Sequence, residues 1–129
     1  MARILIIDDD IQTTTLLESI VTLNGHQPTS VTNSMNAVEV ANSTIPDLIL
    51  LDIMMPGISG IQLCKIFQST PNLRHIPIVM VSALDDIGSK KDAFNAGAKD
   101  FITKPVRPKD LAQKINALID QTNQAFKKV

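Results

Sequence analysis

At 129 residues, 44% of them apolar, the chain has the length and composition of one globular domain and not of a disordered segment. A net charge of -1 leaves no basic footprint for nucleic acid, and no apolar run approaches the ~20 residues of a membrane helix. The single cysteine, Cys64, excludes an intrachain disulfide, and Met1-Ala2-Arg3 leads into a strand pattern with no signal-peptide core, so a cytoplasmic location is expected.

Strand and helix patterns alternate along the whole chain. Arg3–Ile7 reads as a buried strand, and 11–23 as a helix with Leu16, Leu17, Ile20 and Val21 on its apolar face. Asn24-Gly25 is its stop, because glycine tolerates the left-handed conformation. A weak strand lies at Gln27–Val31. Asn33 or Ser34 caps a second helix with the stripe Ala37, Val38 and Ala41. Pro46-Asp47 opens a strand at 48–52, and Ser59 starts a helix carrying Ile61, Leu63, Cys64, Ile66 and Phe67. A strand at 78–81, a helix at 90–96 stopped by Gly97 and a strand at Asp100–Thr103 follow. Pro108 stands at a helix start, and the last helix covers 109–121. Crossovers of this kind are right-handed and place helices on both faces, so the pattern predicts a doubly wound, five-stranded parallel α/β domain.

In an open parallel sheet the carboxyl ends of the strands share one edge, and ligands bind there. Here the apolar runs stop at Asp8-Asp9-Asp10, at Asp52, at Ser82 and at Lys104-Pro105. Those side chains are expected to meet in one shallow pocket. Carboxylates so gathered repel one another unless a cation sits among them, and magnesium suits a few carboxylates, a carbonyl and retained waters. Asp52 can then stay ionised and attack phosphorus, forming an aspartyl phosphate. Asp10 reads instead as a helix cap, since an acid suits the positive end of the helix dipole.

The chain resembles the receiver domain of two-component response regulators. The matching segments are Ile4-Leu5-Ile6-Ile7-Asp8-Asp9-Asp10, 51–60 (Leu-Asp-Ile-Met-Met-Pro-Gly-Ile-Ser-Gly), Val81-Ser82-Ala83, Gly97-Ala98-Lys99-Asp100-Phe101 and Thr103-Lys104-Pro105. Five such segments in order and at the right spacing are a specific signal. The resemblance covers residues 1–122 as the receiver domain, with 123–129 as a C-terminal tail or the start of a linker. It implies a flavodoxin-like sheet in the order 2-1-3-4-5. It also implies a signalling switch that accepts a phosphoryl group on Asp52 from a histidine kinase or a phosphotransfer protein, with Mg2+ as cofactor. Such a module acts on a downstream output protein or domain. It has weak autophosphatase chemistry and is not a metabolic enzyme.

Residue by residue, the resemblance makes Asp9 and Asp52 direct metal ligands, Asp8 a ligand mostly through water, and the Met54 carbonyl the last protein contribution. Lys104 would pair with the phosphoryl oxygens, and Lys104-Pro105 would be cis. Ser82 would be the switch hydroxyl; the plainer reading is a strand-end serine bonding its own backbone. Phe101 takes the aromatic switch position, where the family often has tyrosine; the alternative is a static ring covering the sheet edge. Met54 and Leu84 fall where the family flanks the approach of a hydrolytic water, and neither can accept a hydrogen bond from it, which implies a long-lived phosphorylated state.

The remaining motifs read as structure. His26 and His75 are expected in surface or loop positions, Cys64 in the core, and the basic end Lys127-Lys128 in solvent. The output surface is expected at the fourth helix, fifth strand and fifth helix. There Lys90 with Asp110, and Asp100 with Lys114, could pair across a two-fold axis, as in the DNA-binding branch of the family. Asn95, Lys99 and Asn116 depart from that branch, so a monomer or a weak dimer is expected, with no direct nucleic-acid or membrane contact. Two other readings use the same fold. A flavodoxin-like cofactor binder needs a Ser-, Thr- and Gly-rich loop after the first strand and aromatics to sandwich a flavin, whereas this chain has Asp8-Asp9-Asp10, no Trp and no Tyr. A phosphate-independent receiver-like interaction module would have no use for the full set of acids, hydroxyl and lysine.

Overall fold

A computed structural model describes residues 1–127, with the backbone alone for 122–127. The elements run β1 (Arg3–Ile7), α1 (Ile11–Leu23), β2 (Gln27–Val31), a 3-10 turn (Ser34–Asn36), α2 (Ala37–Thr44), β3 (Leu48–Leu51), α3 (Gly60–Ser69), β4 (Ile78–Ser82), α4 (Ile87–Ala96), β5 (Asp100–Thr103) and α5 (Pro108–Lys127). The strands form one parallel sheet in the order β2-β1-β3-β4-β5, which is the expected topology. β2 lies at the sheet margin and sets Pro28 opposite Ile4.

Burial on both faces explains the strand sequences. Apart from Arg3 at the start of β1 and Ser82 at the end of β4, β1, β3 and β4 are apolar runs, because their side chains meet a helical layer on either face. Leu5, Ile7, Ile49, Leu51, Ile78 and Met80 pack with Ala37 and Ala41 of α2, Leu63 and Phe67 of α3, and Ala93 and Ala96 of α4. Ile4, Ile6, Leu48, Leu50, Val79 and Val81 pack with Leu17, Ile20 and Val21 of α1 and with Leu111 and Ile115 of α5. Each such Leu, Ile, Val, Met or Phe side chain contributes about 1.5–3 kcal/mol on burial, and each alanine less. The strands are therefore a rigid base, and the loops at their carboxyl ends start from fixed points.

Local chemistry sets the helix ends. Asp10 caps α1, accepting from the Gln12 N–H and the Thr13 hydroxyl, and the hydroxyl bond above all holds its carboxyl below the usual carboxylate range. Ser59 and Gln62 close a capping box on α3. Gly97 ends α4 at φ 117°, in the left-handed region. The cis peptide at Lys104-Pro105 is present.

Several expectations are corrected. α4 begins at Ile87 and not at Lys90, because Asp86 caps it by accepting from both the Ser89 N–H and the Ser89 hydroxyl. β3 stops at Leu51, leaving Asp52 in the loop, and β4 takes in Ser82. Leu16 is 43% exposed; Thr14 takes the buried place on α1, its hydroxyl satisfied by the Ile11 carbonyl. Ile66 also lies on the outer side of α3. His26 does lie in a loop, as expected, but is half-buried there, with Nδ1 accepting from the Ala2 N–H and Nε2 facing Asn116 Oδ1 at 3.3 Å, so it joins the start of the chain to α5. His75 is exposed, also as expected. Cys64 is fully buried, its Sγ donating to the Ala96 carbonyl, and burial pushes its thiol up to about 11. α5 begins at Pro108 and runs past Gln121 to Lys127, longer than the expected 109–121. Lys128 and the side chain of Lys127, read as a solvated end, lie outside the described residues.

Candidate functional site

β1, β3, β4 and β5 deliver their carboxyl ends to one edge of the sheet. Asp8 follows β1 and is buried, with its N–H donated to the Val31 carbonyl. Its Oδ1 accepts from the Asp10 N–H at 2.9 Å and its Oδ2 from Lys104 Nζ at 2.9 Å. Asp9 is exposed at the pocket mouth. Asp52 follows β3 and is buried; its Oδ1 accepts from the Ile53 N–H at 2.8 Å, and its Oδ2 lies 3.5 Å from Lys104 Nζ. One carboxylate oxygen from each of Asp8, Asp9 and Asp52 lies within 4.8 Å of the others.

The charges here are out of balance. Three carboxylates face one ammonium. Burial first, and then the charge of Asp8, pushes the Asp52 carboxyl up to about 6, against the opposing pull of Lys104 and the Ile53 amide. Burial pulls the Lys104 pKa down, but the bond to Asp8 and the charge of Asp52 outweigh it and hold the lysine above its ordinary value. Hard carboxylate oxygens at this spacing fit a hard divalent cation, which would remove the repulsion. The set contains no sulfur or imidazole donor that would favour a softer metal.

The other expected residues fall around these acids. Ser82 is buried at the end of β4, and its Oγ accepts from the Leu84 N–H at 3.2 Å. That is the local backbone bond of the plainer reading; the hydroxyl proton remains a donor besides. Phe101 on β5 is buried, with Lys90 Nζ 5.7 Å above its ring. Met54 is 66% exposed, while Leu84 is half-buried against the core. Sequence reasoning missed two contributors. The Ile53 N–H holds Asp52, and a backbone donor leaves no signal in residue identity. Ser34 holds the loop after Asp52 from a different connection, donating to the Pro56 carbonyl and accepting from the Ile58 N–H. Nothing in the local sequence marks that contact.

Fold and pocket together define a phosphoacceptor class of domain: acids on adjoining strand ends of a doubly wound sheet, with a lysine facing them. Residues 4–116 match the response regulator receiver domain, and the chain belongs to that family. It is a regulatory phosphoacceptor, a signalling switch and not a metabolic enzyme. It is 37% identical over 117 residues to the response regulator PleD of Caulobacter vibrioides, covering 91% of this chain and 26% of PleD. It is 38% identical over 117 residues to the phosphate regulon transcriptional regulatory protein PhoB of Escherichia coli, covering 91% of this chain and 51% of PhoB. The BeF3-activated N-terminal receiver domain of RstA from Klebsiella pneumoniae superimposes with a TM-score of 0.85 at 28% identity, over 91% of this chain and 97% of that one. The chain thus spans between 26% and 51% of these curated relatives. No helix among the described residues is long and apolar enough to cross a membrane.

Proposed function

We propose that Asp52 is the phosphoacceptor and that Asp8, Asp9, Asp52 and the Met54 carbonyl hold Mg2+. One observation carries this reading: the three carboxylates converge to within 4.8 Å while Lys104 reaches both Asp8 and Asp52. Bound magnesium would neutralise the acids and draw off charge from the phosphoryl oxygens. The Ile53 amide fixes Asp52 Oδ1, which leaves Oδ2 as the attacking atom. Oδ2 forms the new bond to phosphorus as the bond from phosphorus to the donor's histidine nitrogen breaks. That nitrogen keeps the electron pair. Lys104 is already beside Oδ2 and offsets charge on the transferring group. The Ser82 proton is then available to a phosphoryl oxygen, which would draw the β4–α4 loop inward and change the packing at Phe101.

The donor in this reading is a histidine kinase or a phosphotransfer protein, and the site operates in the cytoplasm. The receiver unit is residues 1–122, with 123–129 as a C-terminal tail or the start of a linker. Its signal passes through the face made by α4, β5 and α5 to an output protein or domain. The test is incubation with a small phosphodonor and magnesium, followed by intact-mass measurement. Wild type gains one phosphoryl group, and Asp52→Asn gains none. A gain that persists in Asp52→Asn overturns the assignment.

A further inference from the structure

The loop after Asp52 is fastened at two points. At its base the Gly60 N–H donates to the Ile53 carbonyl at 2.8 Å. The backbones run so close there that a Cβ on Gly60 would stand 1.9 Å from the Asp52 carbonyl oxygen. At its tip a single buried hydroxyl holds both groups that flank Gly57. Ser34 Oγ donates to the Pro56 carbonyl at 2.7 Å and accepts from the Ile58 N–H at 3.1 Å. Ser34 is 2% exposed, so water does not compete for these bonds. Gly57 adopts φ 84°, and a Cβ there would lie 3.0 Å from Ser34 Oγ, so the tip is shaped around the hydroxyl. The connection carrying Ser34 is itself tied to the acids, since the Asp8 N–H donates to the Val31 carbonyl at 3.1 Å.

We propose that Ser34 is a positioning residue for the phosphoacceptor pocket. Its hydroxyl sets the loop containing Met54 against the strand end containing Asp8, and thereby sets the affinity for magnesium. This rests on the metal reading given above. Without the hydroxyl, a carbonyl and an amide lose their buried partner and the turn must find others. The loop then samples more conformations, and metal binding has to supply the ordering that Ser34 supplies beforehand. Ser34 touches no reacting atom, so its removal acts on metal affinity and leaves the site of phosphorylation at Asp52.

Calorimetric titration with Mg2+ of wild type, Ser34→Ala and Ser34→Thr tests this. Loss of a group that orients metal ligands costs about 10–100-fold in affinity, and Ser34→Ala is expected at the lower end, about tenfold. Ser34→Thr keeps the hydroxyl and restores most of it. Coupling is reciprocal, so magnesium must stabilise the latch as the latch stabilises magnesium. Amide exchange of Ile58 in wild type therefore slows when Mg2+ is added, a readout that needs no variant. Affinity unchanged in Ser34→Ala, folded Ser34→Thr as weak as Ser34→Ala, or Ile58 exchange indifferent to bound Mg2+ each overturns the proposal. Wild type that binds no Mg2+ overturns the metal reading and this inference together; binding that ignores Ser34 overturns the inference alone.

Discussion

The ammonium of Lys104 and the carboxylate of Asp8 meet at 2.9 Å across 96 residues of chain. The same ammonium stands farther from Asp52, at 3.5 Å. Lys104 thus acts as the counter-ion of the metal-free pocket, and a divalent cation entering it competes with the lysine for carboxylate charge. Lys104→Met is expected to destabilise the metal-free fold by about 1.5–3 kcal/mol, the worth of a hydrogen bond to a charged group. It is also expected to tighten magnesium binding while slowing phosphoryl transfer. Urea melts with and without Mg2+, alongside a metal titration, check both parts; weaker Mg2+ binding by the variant contradicts the competition.

The raised Asp52 carboxyl gives a pH dependence of defined sign. Its folded value, about 6, lies above the ordinary 3.8, so the folded protein holds the proton more tightly than the unfolded chain does. The resulting stability is fully present below 3.8 and is lost as pH rises through about 6. Asp52→Asn removes this loss. In a chelator it should be more stable than wild type by about 1–2 kcal/mol near neutral pH, allowing for solvent screening, and should match it in acid. Melts across this range decide the matter, and a difference that grows toward acid would be the wrong sign. Magnesium affinity should also weaken as pH falls through the same window.

Hydrolysis of the aspartyl phosphate needs a water aligned with the phosphorus–oxygen bond. Met54 and Leu84 offer that water no hydrogen-bond acceptor, and Leu84 is anchored against the core. The phosphorylated state is therefore expected to be long-lived. Decay measured in magnesium should accelerate in Met54→Asn, and further when Leu84→Glu is added. Because Met54 is 66% exposed, Leu84 should carry the larger share. Decay that is unchanged or slower in both variants removes the argument.

On the α4–β5–α5 face, Lys114 is already paired with Asp100 of the same chain at 2.8 Å. Lys90 covers Phe101. These contacts engage charges that a two-fold dimer would use, and exposed pairs contribute only about 0.2–1 kcal/mol each. Light scattering should find a monomer without phosphate and at most a weak dimer with beryllofluoride. A tight unphosphorylated dimer that is indifferent to Lys90→Glu would show that another face associates.

Much of this fold was legible because parallel strands buried on both faces must be apolar throughout. β1, β3 and β4 announce themselves that way, and their ends locate Asp8, Asp52 and Ser82. β2, with Gln27, Pro28, Thr29 and Ser30, has no such run, because the margin of the sheet is covered less completely. α4 started early because the cap at Asp86 precedes a helix with little apolar periodicity. Thr14 in place of Leu16 shows the limit of counting apolar residues: a threonine that satisfies its own hydroxyl can be buried. The site's composition was readable, but not its internal pairing. That Lys104 favours Asp8, and that Ser34 clamps Pro56 and Ile58, depends on contacts between segments far apart in the chain.

At the margin of the sheet, the Gln27 N–H donates inward to the Ala2 carbonyl at 2.8 Å. Backbone groups alternate in direction along a strand, so the next residue, Pro28, turns its nitrogen away from β1. An open margin is a template on which another chain can add itself and begin aggregation, and proline denies it a donor. Pro28→Thr would return that donor to a strand already rich in threonine and serine. A single ring closure thus removes one of the outward-facing donors on which a strand from another copy would pair.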